Sequence, residues 1–245
     1  MTGPVTVELG WGARGLERMA HQRRAVVIVD VLSFSTAVVA GVAAGAEVFP
    51  ARDGEAGARL AAEHGAVLAV ARAAIDETHP FSLSPLTLAR ARRGQRIVLP
   101  SPNGSTLSAD AGDRFSLVVA GCLRNASAAA SRVAGAPSIA VVAAAERRPD
   151  GSLRAAREDL IGAGAVVAAL PATVLRFPGA ERAVAAFREA AADLRWAVLA
   201  TESGQELVGI GWEPDVEFAA VLDADAVAPV LDGGRYRVGG GDAGG

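Results

Sequence analysis

Asp30 is the first residue whose position suggests chemistry. Five apolar residues, Ala25 to Val29, run directly into it. A carboxylate at the end of such a strand-like run is costly to bury unless it is paired, hydrogen-bonded or metal-bound. Ser33, Ser35 and Thr36 follow at the start of an alanine-rich, helix-like segment, whose free backbone N–H groups favour an anion. A carboxylate beside an anion hole suits a magnesium-dependent phosphoryl site, with the metal bridging the two negative groups. A simpler reading is open: Ser35 or Thr36 caps the helix and Asp30 accepts backbone amides. On Asp30 alone, the simpler reading is favoured.

Two further loops carry polar groups after strand-like runs. RIVLP leads into SPNGST, with Asn103, Gly104, Ser105 and Thr106, and SLVVA leads into GCLRNAS, with Asn125. Asn-Gly is an ordinary turn signal and Asn125 an ordinary cap, so each is weak alone. Hydroxyls and carboxamides after three successive strands are a less trivial pattern. Glu158 and Asp159 open a small-residue helix, where the helix dipole already favours acids, and metal coordination is the sharper reading. The following GAGAVV lacks the third glycine position of a dinucleotide fingerprint and follows no strand, so it reads as helix-packing glycines. A nucleotide-cofactor oxidoreductase is a remote alternative.

The elements that must position these residues alternate. Short β-branched runs, AVVIVDV, VLAVA, RIVLP, SLVVAG and SIAVVAA, each precede a loop and a helix-like stretch. That alternation predicts an α/β fold of three layers, α/β/α, around a mainly parallel or mixed sheet. Ligands of such sheets bind in the loops after the strands' carboxyl ends. From Leu194 the chain turns to shorter helical elements and closes with a hairpin near Asp232-Gly233-Gly234. Residues 1–238 are expected to form one domain, and the glycine-rich 239–245 a disordered tail.

Composition removes several functions. The 245 residues carry 24 basic and 27 acidic side chains, a formal charge of -3 that offers no field for nucleic acid or anionic lipid. Every basic residue is arginine, which excludes a pyridoxal Schiff base and a P-loop lysine. Cys122 stands alone, so no intrachain disulfide or thiolate cluster forms. His21, His64 and His79 lack metal-ligand spacing, so any metal is a hard cation on oxygen ligands, magnesium foremost. Neither a signal peptide nor a spanning apolar run is evident, and a cytoplasmic protein is expected.

The ordered set DVLSFST, SPLTL, LPSPNGST, GCLRNASAAA, EDLIGAGAVV and ELVGIGWEPDVEFAAVLDADAVAPVLDGG resembles the 2-phosphosulfolactate phosphatase family, from about Val26 to Arg235. The resemblance implies an α/β, Mg2+-dependent hydrolase that converts 2-phosphosulfolactate to sulfolactate and phosphate, a step towards coenzyme M. By position, Asp30 becomes the strand-end acid, Asn103 and Gly104 the Asn-Gly loop, Asn125 the second loop amide, and Glu158 with Asp159 the acidic pair. Asp30 would hold the metal with Glu158 or Asp159. Arg72, Asn103 and Asn125 would position the ester, alongside Ser33, Ser35, Thr36, Gly104 and Ser105. A carboxylate, with Asp30 and Glu158 the candidates, would orient the attacking water, or Asp30 would act as a covalent nucleophile. The expected partner is a small phosphate ester, and the expected assembly a homodimer.

The chain departs from the family pattern at three places. Ser33 replaces an arginine, removing a cation suited to bidentate anion contact. The glycine-glutamate-arginine-glycine stretch falls on Val70, Ala71, Arg72 and Ala73, which keeps only the arginine. Asn-Ser-Pro becomes Leu83, Ser84 and Pro85. An unreplaced phosphate-binding arginine costs orders of magnitude in rate, so a catalytically silenced binding or structural protein is the competing expectation.

Overall fold

A computed structural model describes residues 4–21, 24–148 and 152–239. Its strands are β1 (Thr6–Trp11), β2 (Arg24–Val29), β3 (Glu47–Ala51), β4 (Val67–Leu68), β5 (Arg96–Pro100), β6 (Leu117–Gly121), β7 (Ser138–Ala143), β8 (Glu146–Arg147), β9 (Leu153–Arg154), β10 (Leu175–Arg176), β11 (Pro229–Asp232) and β12 (Arg235–Val238). The helices are α1 (Gly12–Met19), α2 (Phe34–Ala43), α3 (Gly54–His64), α4 (Pro85–Leu88), α5 (Gly104–Ala111), α6 (Ala126–Val133), α7 (Arg157–Ala169), α8 (Pro178–Ala190), α9 (Leu194–Leu199), α10 (Glu202–Gly209) and α11 (Glu213–Ala219).

Ten strands form one sheet in the order β10-β1-β7-β2-β6-β11-β12-β3-β5-β4. The pairings from β10 to β6 are parallel, as are those joining β3, β5 and β4. Between these two parallel blocks lies the antiparallel β11–β12 hairpin, pairing with β6 on one side and β3 on the other. Its turn residues Gly233 and Gly234 both have positive φ, the backbone a tight two-residue hairpin demands. The expected hairpin is therefore present, and it joins two parallel blocks into one mixed sheet.

Alternate side chains of β2 explain the layering. Val26 and Ile28 pack with Leu16 and Met19 of α1 and Leu107 of α5. Val27 and Val29 pack on the other face against Ala126 and Ala129 of α6 and Ile161 and Val166 of α7. Each such valine or isoleucine contributes on the order of 1.5–3 kcal/mol when fully buried. The second parallel block repeats the pattern, with Val48, Ile97 and Leu99 facing α2 and α4 while Phe49 and Val98 face α3. The fold is thus α/β with helices on both faces, as expected. No described helix is long and apolar enough to cross a membrane. Residues 240–245, most of the expected tail, lie outside the described residues.

The GAGAVV glycines lie on the α7 surface where other elements come closest. A Cβ on Gly162 would sit 2.5 Å from Val31 Cγ2, and one on Gly164 only 2.0 Å from the Ala183 carbonyl oxygen of α8. They serve close packing, which is the reading their spacing favours.

Candidate functional site

Three loops converge at Asp30. The loop after β2 is fixed at both of its ends. Asp30 N–H donates to Ser35 Oγ at 3.1 Å, which donates in turn to the Ile28 carbonyl at 2.9 Å. Thr36 Oγ1 donates to the Val31 carbonyl at 2.8 Å. Asp30 Oδ1 accepts from Phe34 N–H, the first residue of α2, at 3.1 Å, so the carboxylate itself satisfies the helix start. Its Oδ2 accepts from Gly104 N–H at 3.0 Å, tying the loop after β5 to the loop after β2. Only glycine fits there, because a Cβ on residue 104 would lie 2.7 Å from Asp30 Oδ2 and 2.4 Å from Phe34 Cδ1.

The loop after β7 joins through Asp159. From the first turn of α7, Asp159 Oδ1 accepts from Val31 N–H at 2.8 Å and Oδ2 from Ala145 N–H at 3.0 Å. Ala145 has a φ of 62°, a left-handed backbone that costs a non-glycine residue roughly 1 kcal/mol. The bond from Asp159 holds it there. The next residue, Glu146, then accepts from Asn103 Nδ2 at 2.9 Å.

A cavity of about 270 Å³ opens above these contacts, with Asp30, Ser33, Arg72, Asn103 and Glu146 in its walls and Glu206 and Ile210 of the α10 region at its rim. Arg72 reaches it from the short 3-10 turn beyond β4. Its Nη2 donates to Ser33 Oγ at 2.6 Å and its Nε to Asp215 Oδ2 at 3.1 Å, while the guanidinium lies 5.7 Å from the Trp212 ring centroid. Asp215, fully buried on α11, also accepts from Ser84 Oγ at 2.6 Å. Ser33, standing where the family pattern has a cation, therefore anchors the neighbouring one.

Four acids lie close to one another beneath and beside this cavity. Burial pushes Asp30 up to about 6, helped by the charge on Glu158 and opposed by the amides of Phe34 and Gly104. Glu146 is pushed up to about 7, first by burial and then by Asp30. Asp159 is raised well above the usual carboxylate range by burial and by the charges on Asp30 and Glu158. Glu158 is 1% exposed, and its Oε2 has no hydrogen-bond partner among the described residues. A buried carboxylate oxygen left unpaired among other acids is a donor in want of a cation.

That observation tests the residues against Mg2+. Among the described residues, no three His, Cys, Asp or Glu side chains gather as a ready-made ligand set. Magnesium does not require one, since it binds through one or two carboxylates and keeps waters and substrate oxygens as its other ligands. All-oxygen donors and an orphaned Glu158 oxygen fit such an ion. Asp159 accepts two backbone amides, as Asp30 does, but unlike Asp30 it does not line the cavity, and it serves first as a brace between two loops.

The structure thus brings Asp30, Ser33, Arg72 and Asn103 to one cavity, with Gly104, Glu158 and Asp159 around Asp30. Other expected substrate-binding groups are engaged elsewhere. The Asn125 amide accepts from Cys122 N–H and donates to the carbonyls of Ala120 and Val227. Ser105 Oγ donates to the Leu99 carbonyl at 2.6 Å. Asn125, Ser35, Thr36 and Ser105 are buried loop braces away from the cavity wall. Glu146 and Asp215 carry roles not expected from sequence. Glu146 has the same signal as Asp30, an acid just past a buried strand, and Asp215 lies within the quoted EPDVEF segment.

The family model for 2-phosphosulpholactate phosphatase matches residues 14–234 of the chain, nearly its whole length. The chain belongs to this family.

Proposed function

From that membership we propose a magnesium-dependent phosphatase that hydrolyses a small phosphorylated acid, with 2-phosphosulfolactate as the family's substrate and sulfolactate and phosphate as products. The observation that carries this reading is the convergence of a fixed guanidinium, a carboxamide and two carboxylates of raised pKa on one cavity.

In hydrolysis, a water oxygen bonds to phosphorus, the ester P–O bond breaks, and the departing oxygen gains a proton. Arg72 and Asn103 bind phosphate oxygens, with Ser33 and Asp215 fixing the angle of the guanidinium. Glu146, held by Asn103 and with a pKa of about 7, takes the proton of the attacking water at its free carboxylate position. Asp30 and Glu158 would hold the metal, with Asp159 keeping their loops in place. The ion, when bound, supplies charge neutralisation at the phosphate and a polarised phosphorus centre.

The competing reading, a silenced family member, is favoured by one feature: Arg72, the only cationic side chain in the cavity wall among the described residues, is already ion-paired with Asp215. Phosphate release from 2-phosphosulfolactate, measured with Mg2+ and with chelator, decides between them. Metal-dependent turnover lost in Asp30→Asn supports the phosphatase. A folded protein inert towards a broad panel of small phosphate esters supports the silenced form.

A further inference from the structure

Beside the candidate active-site cavity runs a second, larger hollow of about 650 Å³. Its walls include Leu68, Val70, Ala71, Ala73, Leu83 and Ile210. The two hollows share Arg72, Leu83 and Ile210 as a common wall. A molecule whose phosphate contacts Arg72 in the first has its remainder at the mouth of the second.

The chemistry of the second hollow is one-sided. Among the described residues Arg72 is the only charged side chain in its walls, and that guanidinium is already committed to Asp215 and Ser33. The other charged groups of the smaller cavity, Asp30, Glu146 and Glu206, are all acids. A second anionic group placed in the larger hollow would therefore meet no cation of its own there among the described residues. An apolar group would meet aliphatic walls. Ile210 is 67% exposed at the shared wall, an apolar surface that gains by being covered.

Resting on the phosphatase reading above, we propose that the preferred substrate is a phosphate monoester of a small hydroxy acid carrying an aryl or branched-alkyl substituent, which lies in the hollow between Leu68, Ala71 and Ile210. The phosphate occupies the Asp30–Arg72 cavity, and the substituent contributes specificity by covering the aliphatic wall. Filling such a pocket changes kcat/KM by roughly tenfold or more between substrates that differ by a few carbons.

The test compares phospholactate with its phenyl- and isobutyl-substituted analogues, each assayed for Mg2+-dependent phosphate release. The expected result is a kcat/KM at least about tenfold higher for the substituted esters, with the ratio collapsing towards one in Ala73→Trp, which fills the hollow, and in Ile210→Asp, which charges its wall. Both positions are exposed, so these variants act on surface and not on the core. A wild-type ratio near one, or a ratio unmoved by both variants, overturns the proposal. Failure of all esters to turn over would instead overturn the phosphatase reading. In that event calorimetry with the matching non-hydrolysable phosphonates still judges the hollow. Tighter binding of the substituted phosphonate supports it, and equal binding or none of either sinks it.

Discussion

At the residue scale, Asp30 and Glu146 are separated by what holds them. Asp30 uses both oxygens to accept backbone N–H groups, so an isosteric amide cannot serve both without turning its own N–H groups towards one of them. Asp30→Asn is expected to abolish metal-dependent phosphate release and to cost about 1–3 kcal/mol through an unsatisfied buried donor; denaturant titration beside the phosphate assay reads both. Glu146 accepts from a side chain instead, and its carboxyl sits near 7 because burial and Asp30 disfavour its charge. As the base it works only when ionised, so kcat/KM should fall as pH drops through about 7. Glu146→Gln should lower kcat by roughly 10²–10⁴ and remove that limb. A mutant that keeps the wild-type pH profile would take Glu146 out of the proton transfer.

At the element scale, the site depends on how closely loops and helices approach. Asp215 of α11 holds both Arg72 and Ser84, drawing the turn after β4 and the start of α4 together. Asp215→Ala strands a partly buried guanidinium and should destabilise by about 3 kcal/mol, with KM rising more than kcat falls because Arg72 loses its orientation. A lowered kcat with KM unchanged would show instead that Arg72 acts only in the transition state. Gly164→Ala tests the α7–α8 contact, where overpacking should cost roughly 1–3 kcal/mol in chemical denaturation. These contacts also explain what was legible in the sequence. The runs that became β2, β5, β6 and β7 are continuously apolar because both sheet faces are covered, and the GAGAVV glycines announce close helix packing. β3 was hidden by Pro50 within EVFPA, since proline argues against an inner strand. Glu146 was hidden by its polar neighbours, ERR and SLR, which carry no apolar pattern and nevertheless form the β8–β9 ribbon. Asn125 was over-read because a buried carboxamide satisfying three backbone groups has the same sequence signature as one facing a ligand.

At the scale of the whole molecule, the buried acids set how stability responds to pH and to metal. Asp30 moves from 3.8 to about 6 and Glu146 from 4.5 to about 7, and Asp159 moves in the same direction. Between the ordinary and the raised values the folded chain holds protons that the unfolded chain has released. The stability these groups contribute is therefore fully present below about pH 4 and is lost as pH rises through 6 and 7. Exposed Asp76 is held down at about 2, so its opposing contribution is lost only below that window. Each pKa unit corresponds to about 1.4 kcal/mol, and 1 kcal/mol moves Tm by roughly 2–4 °C in a chain of this length. Acidification from pH 7.5 to 5 should then raise Tm by roughly 5 °C or more. Magnesium bound as proposed would compete with the Asp30 proton for the same oxygens, so its addition should raise Tm markedly at pH 7.5 and little at pH 5. Scanning calorimetry at the two pH values, with and without Mg2+, measures both effects in one series. A Tm that falls steadily from pH 7.5 to 5 would mean that these carboxylates are paired or solvated in the folded chain. A magnesium effect of equal size at both values would place the ion away from Asp30 and Glu158.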